Sequence, residues 1–398
     1  MTLIFYLQYM RSLFLAFFTF ITAIVSAQIT APHRLVRSAG KLPALAYGLG
    51  EDRLGGAKMG YIDTNVLLRV IDSTNAMYHV QLSKFHSAFI EKGLVKPDSA
   101  GLEKAYYLTN SIIAKGDSAF DYVGVSMEER LPYKSSTEIN PSRIVIDIYG
   151  VQSNTNWITQ LHSVKEVKNV YYSQTEDDIV RVTIELKHLQ HWGYHIGYEG
   201  NKLMIRIKRQ PEKMDIRSLK IAIDAGHGGT NSGTGGIKAQ YTEKYYTLLF
   251  AKALERNLKR RGVKNVIMTR TSDTTFDNKD RILFLQQQNP DILISLHLNS
   301  SSKSDINGVS TYYKHIGFRP FTMALLNRML ELKLNEFGNV GSFNFALVAP
   351  TDFVSSLVEI AFLSNRDDEK KVLNPQFRED VANKLALGVI DWLKDLNK

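Results

Sequence analysis

The chain has 398 residues, which at about 150 residues per domain suggests two or three domains. Apolar residues make up 44% and charged residues 22%, ordinary globular usage that argues against a disordered or fibrous chain. Lys and Arg number 49 against 40 Asp and Glu, a net charge of +9 that suits an acidic partner, and there is no cysteine. That last fact excludes disulfides, thiolate metal sites, a Cys nucleophile and acylation at a lipoprotein cysteine, so any metal must be held by His and carboxylates.

Residues 1–27 read as a signal peptide for export. Arg11 precedes an apolar run from Leu13 to Val25, and Val25-Ser26-Ala27 offers small residues at the cleavage spacing. The stretch from Leu3 to Tyr9 is apolar for a charged leader region, and a start at Met10 gives a more ordinary signal, so the start stays open between Met1 and Met10. An uncleaved membrane anchor is the alternative, because the two apolar segments together approach a spanning length. No transmembrane segment is expected in the mature chain.

Residues 34–97 carry short alternating runs with turn punctuation, among them Asn65 to Ile71 and Tyr78 to Leu82, the pattern of a small all-β module. Residues 98–111 read as a linker with one short helix. Residues 112–210 are again β-rich: Arg143 to Gly150, Val180 to Leu186 and Lys202 to Ile207 alternate with period two, as antiparallel strands with one wetted face do. Gln210-Pro211-Glu212 is the expected hinge.

Over 218–397 the pattern changes to strand, helix, strand, helix. Leu219 to Ile223 is a compact apolar strand, and Tyr245 to Arg261 is helical, with Phe250, Leu254 and Leu258 on one stripe and Gly262 at the C-cap. Val266 to Thr269 and Ile292 to Leu296 are further strands, and Asn374-Pro375 opens a last helix. The fold class expected is multidomain: two small all-β N-terminal modules, then an α/β domain with a mostly parallel sheet flanked by helices.

In open α/β sheets, functional side chains collect at the carboxyl ends of the strands. His227 follows the first strand in Asp224-Ala225-Gly226-His227-Gly228-Gly229, and His297 follows another in Ser295-Leu296-His297-Leu298-Asn299. Glu243 stands just ahead of the long helix, and Glu359 is embedded in Ser356-Leu357-Val358-Glu359-Ile360-Ala361-Phe362. Two imidazoles and one carboxylate can hold Zn²⁺ with one open position, and a second carboxylate can then move protons. An apolar strand suits Glu359 to that role, because burial raises a carboxyl pKa. Each residue also has an ordinary explanation: a loop histidine, a first-turn carboxylate answering the helix dipole. Spacing leaves both open, with Glu359 hardest to dismiss because a buried charge is costly.

The stretch from about Leu219 to Leu396 resembles the catalytic domain of zinc-dependent N-acetylmuramoyl-L-alanine amidases of the amidase_3 type. The likeness is carried by Ile223 to Gly229, Thr242-Glu243-Lys244, Thr269-Arg270 with Asp273 and Arg281, Ser295 to Asn299, and Leu357 to Asn365. It implies that His227, Glu243 and His297 ligate one Zn²⁺ and that Glu359 is the catalytic carboxylate. It also implies hydrolysis of the amide between N-acetylmuramic acid and L-alanine in peptidoglycan, in the periplasm or at the cell wall. Two departures, Ser355-Ser356 where the family usually has a Pro and Ala361 in place of a Gly, bear on loop shape and substrate fit. No long insert separates His297 from Glu359, which points to a site open without an activator; a protein activator is the alternative partner.

Asn299, Arg270 and Arg281 are candidate substrate-binding residues. An arginine near the crevice can clamp a stem-peptide carboxylate; the alternative is a brace to Asp273 or Asp280. Residues 112–210 are similar to AMIN-type wall-targeting domains, and the first module, with Leu54 to Gly60, resembles bacterial SH3-like modules. Tyr171, Tyr172, Trp192, Tyr194 and Tyr198 could stack on sugar rings, but aromatics in a small sandwich more often fill its core. His188, His191 and His195 read as surface or packing residues. The expected partner is peptidoglycan. A non-catalytic wall-binding scaffold or activator, and a zinc peptidoglycan carboxypeptidase, are the alternatives. Basic residues are spread along the chain rather than clustered with aromatics, which argues against nucleic acid.

Overall fold

Three all-β layers precede the α/β domain. The first is a seven-stranded sheet running from Arg34–Ser38 to Val95–Pro97, whose central strands include Leu67–Ser73, Met77–Ser83 and His86–Glu91. The other two form a sandwich. A four-stranded antiparallel sheet contains Tyr133–Ile139, Ser142–Tyr149, Ile179–Leu186 and Val167–Glu176. A six-stranded sheet is built around Tyr107–Gly116, Phe120–Met127, Lys202–Lys208 and Tyr194–Glu199. Period-two alternation sends Ile144, Ile146 and Ile148 to one side and Arg143 and Asp147 to the other. The first module does not keep a separate core: Val36, Leu68 and Val80 join Ile146, Val182 and Leu203 in a single apolar cluster.

The computed structural model describes residues 34–50, 55–99, 104–237 and 241–397. The expected signal peptide (1–27) and Leu54 lie outside the described residues. The segment expected to be a linker with a short helix is strand from Tyr107 onward, because Tyr107, Thr109, Ile112 and Ala114 alternate into the sandwich core. Among the described residues, no helix is long and apolar enough to cross a membrane.

The α/β domain has six strands: β1 (Lys220–Ala225), β2 (Asn265–Met268), β3 (Ile292–Asn299), β4 (Val309–Tyr312), β5 (Glu336–Val340) and β6 (Val354–Phe362). Their order is β2-β1-β3-β6-β4-β5. The β1–β2, β1–β3, β3–β6 and β4–β5 pairs are parallel and β4–β6 is antiparallel, so the sheet is mixed. Helices are α1 (Glu243–Arg260), α2 (Asn278–Gln288), α3 (Arg319–Leu330), α4 (Arg366–Leu373) and α5 (Pro375–Asp395).

Tyr246, Phe250, Leu254 and Leu258 form the buried stripe of α1, and Gly262 beyond its end takes φ +86°, where a Cβ would be strained. The Asn374 side chain caps α5 by accepting from the Gln376 N–H at 2.9 Å. Helices cover both faces. Ile221, Ile223, Ile294 and Leu296 face the main core under α1, α3 and α5, whereas Ala222 and Leu293 face Ile282 and Leu285 of α2.

Candidate functional site

The same alternation aims the chemistry. On β3, Ile294, Leu296 and Leu298 belong to the main core, as do Val358 and Ile360 on β6. His297 and Glu359 therefore project from the opposite face, where they are direct neighbours in the parallel β3–β6 register. His227 sits just past β1 with φ +61°, a left-handed conformation that is unusual for a non-glycine residue. Glu243 is the first residue of α1, where a carboxylate suits the helix dipole.

These elements bring His227, Glu243 and His297 together, with one donor atom from each within 4.8 Å of the others. His227 Nε2 is 3.1 Å and His297 Nδ1 2.8 Å from the same oxygen, Glu243 Oε1. The imidazoles meet edge to face, ring centres 4.9 Å apart. The Leu298 N–H donates to Oε1 at 3.1 Å and the Thr234 N–H to Oε2 at 2.9 Å. His227 Nδ1 lies 3.0 Å from Asn231 Oδ1, which sets the ring's orientation. Burial opposes the Glu243 charge, but the hydrogen bonds from the two imidazoles overcome it and hold the carboxyl well below its usual range. His227 is affected in the opposite sense: burial disfavours its charge, and the bond to Glu243 still raises its pKa.

Glycines make the room. A Cβ on Gly226 would lie 2.4 Å from His297 Cε1, and one on Gly233 would lie 2.5 Å from Glu243 Oε2. The turn between them is braced by Asp273, which accepts from the Gly229 N–H at 2.7 Å and from Lys244 Nζ at 2.8 Å.

Arg270 and Arg281 stand beneath the site rather than over the crevice, at 4% and 2% exposure. Arg270 donates to the carbonyls of Ala225 (2.9 Å), Gly226 (2.9 Å) and Lys244 (2.7 Å). Arg281 donates to Asp224 Oδ1 at 2.6 Å, to the Ala225 carbonyl at 2.7 Å and to the His227 carbonyl. This corrects the clamp expectation. Their donors are consumed in holding the β1–His227 turn, and the brace runs to backbone carbonyls and Asp224 instead of Asp273 or Asp280. Asn299 closes β3 two residues beyond His297, and its Oδ1 accepts the Ser300 N–H at 2.8 Å.

Sequence reasoning passed over Asp224, a carboxylate 1% exposed that accepts from Thr269 Oγ1 and Ser295 Oγ, each at 2.7 Å, as well as Arg281. The signal was available: a charge within Ile223-Asp224-Ala225 is costly unless paired, the argument already applied to Glu359. Asn231 and Gly233 carried no such signal. Ser355, Ser356 and Ala361 are not loop residues at all but buried positions within β6. The three histidines near 190 do not form a cluster. His188 pairs with Glu166 (2.8 Å), His191 lies 2.8 Å from the Glu138 carbonyl, and His195 pairs with Asp352 (2.7 Å). Trp192, Tyr194 and Tyr198 are buried core, Trp192 in the main core of the α/β domain.

The family model for N-acetylmuramoyl-L-alanine amidase matches residues 221–391, and the AMIN domain model matches residues 115–207. The chain is 24% identical to the N-acetylmuramoyl-L-alanine amidase AmiC of Escherichia coli O6:H1, over 70% of this chain and 88% of that protein. It is 29% identical to the probable cell wall amidase LytH of Staphylococcus aureus, over 51% of this chain and 66% of that protein. Among solved structures, the catalytic domain of CwlV from Bacillus (Paenibacillus) polymyxa is 30% identical with a TM-score of 0.41, covering 44% of this chain and 97% of that one. The α/β domain of this chain thus belongs to the N-acetylmuramoyl-L-alanine amidase family, and the β sandwich ahead of it is an AMIN domain.

Proposed function

We propose that this protein is exported and hydrolyses the amide between the lactyl group of N-acetylmuramic acid and L-alanine in peptidoglycan, using one zinc ion. His227, Glu243 and His297 hold the ion, and Glu359 is the catalytic carboxylate. The first β module, SH3-like, and the AMIN domain place the enzyme on the wall. The observation that carries this reading is the convergence of two imidazole nitrogens and one carboxylate oxygen within 4.8 Å, beside a second buried carboxylate on the adjacent strand.

The donor set fits zinc, which takes two nitrogens and one oxygen in a tetrahedral site with one position left open. When bound, the ion supplies Lewis acidity, bringing the pKa of water towards about 7 and polarising an amide carbonyl. The residues of the chain do the rest. Asn231 fixes the His227 ring, and the Leu298 and Thr234 N–H groups orient Glu243. The Glu359 carboxylate accepts the proton of the attacking water and returns it to the leaving nitrogen as the C–N bond breaks, leaving a lactyl carboxylate and a free L-alanine amino group.

The test is zinc content together with mass spectrometry of digested sacculi. The wild type is expected to hold one zinc and release new N-terminal alanine. Glu359→Gln keeps the metal and loses hydrolysis, whereas His227→Ala loses both. Equal metal loss in the two variants would make Glu359 a ligand, and cleavage of D-Ala–D-Ala or glycan bonds would reassign the reaction.

A further inference from the structure

A cavity of about 360 Å³ opens where the seven-stranded sheet, the strand Tyr133–Ile139 and the amidase domain meet. Its size suits a small-molecule ligand. Asp352, just ahead of β6, lines it, whereas Glu359 stands further along that strand, so the cavity is separate from the His227–Glu243–His297 site. Four lysines (Lys41, Lys58, Lys134 and Lys314) line it against two carboxylates, Asp63 and Asp352.

Both carboxylates are already engaged. Asp352 lies 2.7 Å from His195 Nδ1 and accepts from Gln286 Nε2 at 3.0 Å. Asp63 accepts the Tyr198 N–H at 2.6 Å and the Thr64 N–H at 2.7 Å. Lys41 is also engaged, pairing with Asp280 at 2.7 Å, and Lys134 lies over the Tyr47 ring.

Lys58 and Lys314 differ. Both are half-buried, and among the described residues neither has an ion-pair partner. Lys314 Nζ donates to the Lys58 backbone carbonyl at 2.7 Å, and Lys58 Nζ lies 5.3 Å from the centre of the Tyr61 ring. Burial holds both ammonium groups below the usual lysine range, aided for Lys58 by the charge of Lys279 and only partly offset by that of Glu91, and aided for Lys314, brought to about 8, by the charge of Lys58. Two like charges partly withdrawn from water are a standing cost that a negative ligand removes.

We propose that this cavity binds a small oxyanion, carboxylate or phosphate, between Lys58 of the first β module and Lys314 of the amidase domain. Such a ligand forms charge-assisted hydrogen bonds to groups from two domains, and its binding tightens the junction between them.

The test is thermal melting of the full mature chain titrated with sodium phosphate or with sodium glutarate, ionic strength held constant with chloride. One or both anions are expected to raise the melting temperature saturably, and the arm that does so identifies the group recognised. Lys58→Met and Lys314→Met are each expected to weaken the titration midpoint about tenfold, the effect of one charge-assisted hydrogen bond. The double variant is expected to lose the stabilisation while melting, without anion, no lower than the wild type. If the double variant does not fold, Lys314→Gln decides the question by the same midpoint. Equal stabilisation of wild type and variant, or no saturable stabilisation by either anion, overturns the proposal.

Discussion

Gly226→Ala tests the candidate metal site through packing alone, without touching a donor atom. The new Cβ would lie 2.4, 2.6 and 2.7 Å from Cε1, Nε2 and Nδ1 of His297. Carbon contacts are comfortable near 3.5 Å, so something must move by about 1 Å. The backbone of Gly226 is poorly placed to yield. Its N–H donates to the Leu296 carbonyl at 3.0 Å, and its carbonyl accepts from Thr247 Oγ1 at 2.8 Å and Arg270 Nη2 at 2.9 Å. The imidazole moves instead, and metal–donor distances tolerate only about 0.2 Å. The expected result is a zinc affinity at least about tenfold weaker by chelator competition, with amide hydrolysis reduced about a hundredfold. Gly235→Ala, in the same loop with nothing within 4 Å of its added Cβ, is the control and is expected to match the wild type. Wild-type zinc affinity in a folded Gly226→Ala protein would refute the reasoning.

Two more predictions concern how the domains are joined. Trp192→Ala is expected to cost about 3–5 kcal/mol of stability in denaturant unfolding, because an indole 2% exposed is removed from a core it shares with Trp392; a loss under about 1 kcal/mol would mean that this ring does not hold the domains together. The His195–Asp352 pair predicts a pH dependence. Burial disfavours the His195 charge, but the bond to Asp352 raises its pKa above 6.5, so its contribution is complete below 6.5 and is lost as pH rises through the higher folded value. Burial likewise opposes ionisation of Asp352, which the same bond nevertheless keeps below 3.8, so that side of the pair fails only under strongly acid conditions. Wild type minus His195→Gln melting temperatures, measured from pH 5.5 to 9, should therefore shrink with rising pH; a constant difference would remove the pair from the account.

Local patterns were legible where a single element decides them. Ile221, Ile223 and Ala225 alternate into the core as period two requires, and the capping residues Gly262 and Asn374 stand where the helix boundaries were expected. Glu359 stood out because a charge within an apolar strand is costly without a partner or role, whereas spacing left His227, Glu243 and His297 open and their expected roles came from the family resemblance. For Arg270 and Arg281 the brace reading was available but its partners were not, because an arginine's direction is set by contacts far along the chain. The carbonyls of Ala225 and Gly226 that claim them are exposed as acceptors only after β1 ends in a turn. The β4–β6 antiparallel pair was equally invisible, since β4 is only four residues long and its neighbours fix its direction.

How the AMIN domain meets the amidase domain follows from the same non-local contacts. The segment from Gln190 to Gly193, just ahead of the sandwich strand Tyr194–Glu199, leaves the sandwich and enters the other domain. Gln190 Nε2 donates to the Gly317 carbonyl at 2.9 Å, the Trp192 and Trp392 rings meet at a tilt with centres 5.0 Å apart, and Tyr194 and Thr351 exchange two hydrogen bonds of 2.7 Å. A Cβ on Gly193 would lie 2.5 Å from the Asp352 carbonyl oxygen, so the two backbones touch. Thr351 and Asp352 lead directly into β6, the strand that bears Glu359. An indole buried in the partner's core and a backbone contact of this closeness do not permit free swinging about Gln210-Pro211-Glu212, which removes the expected hinge as a mobile joint.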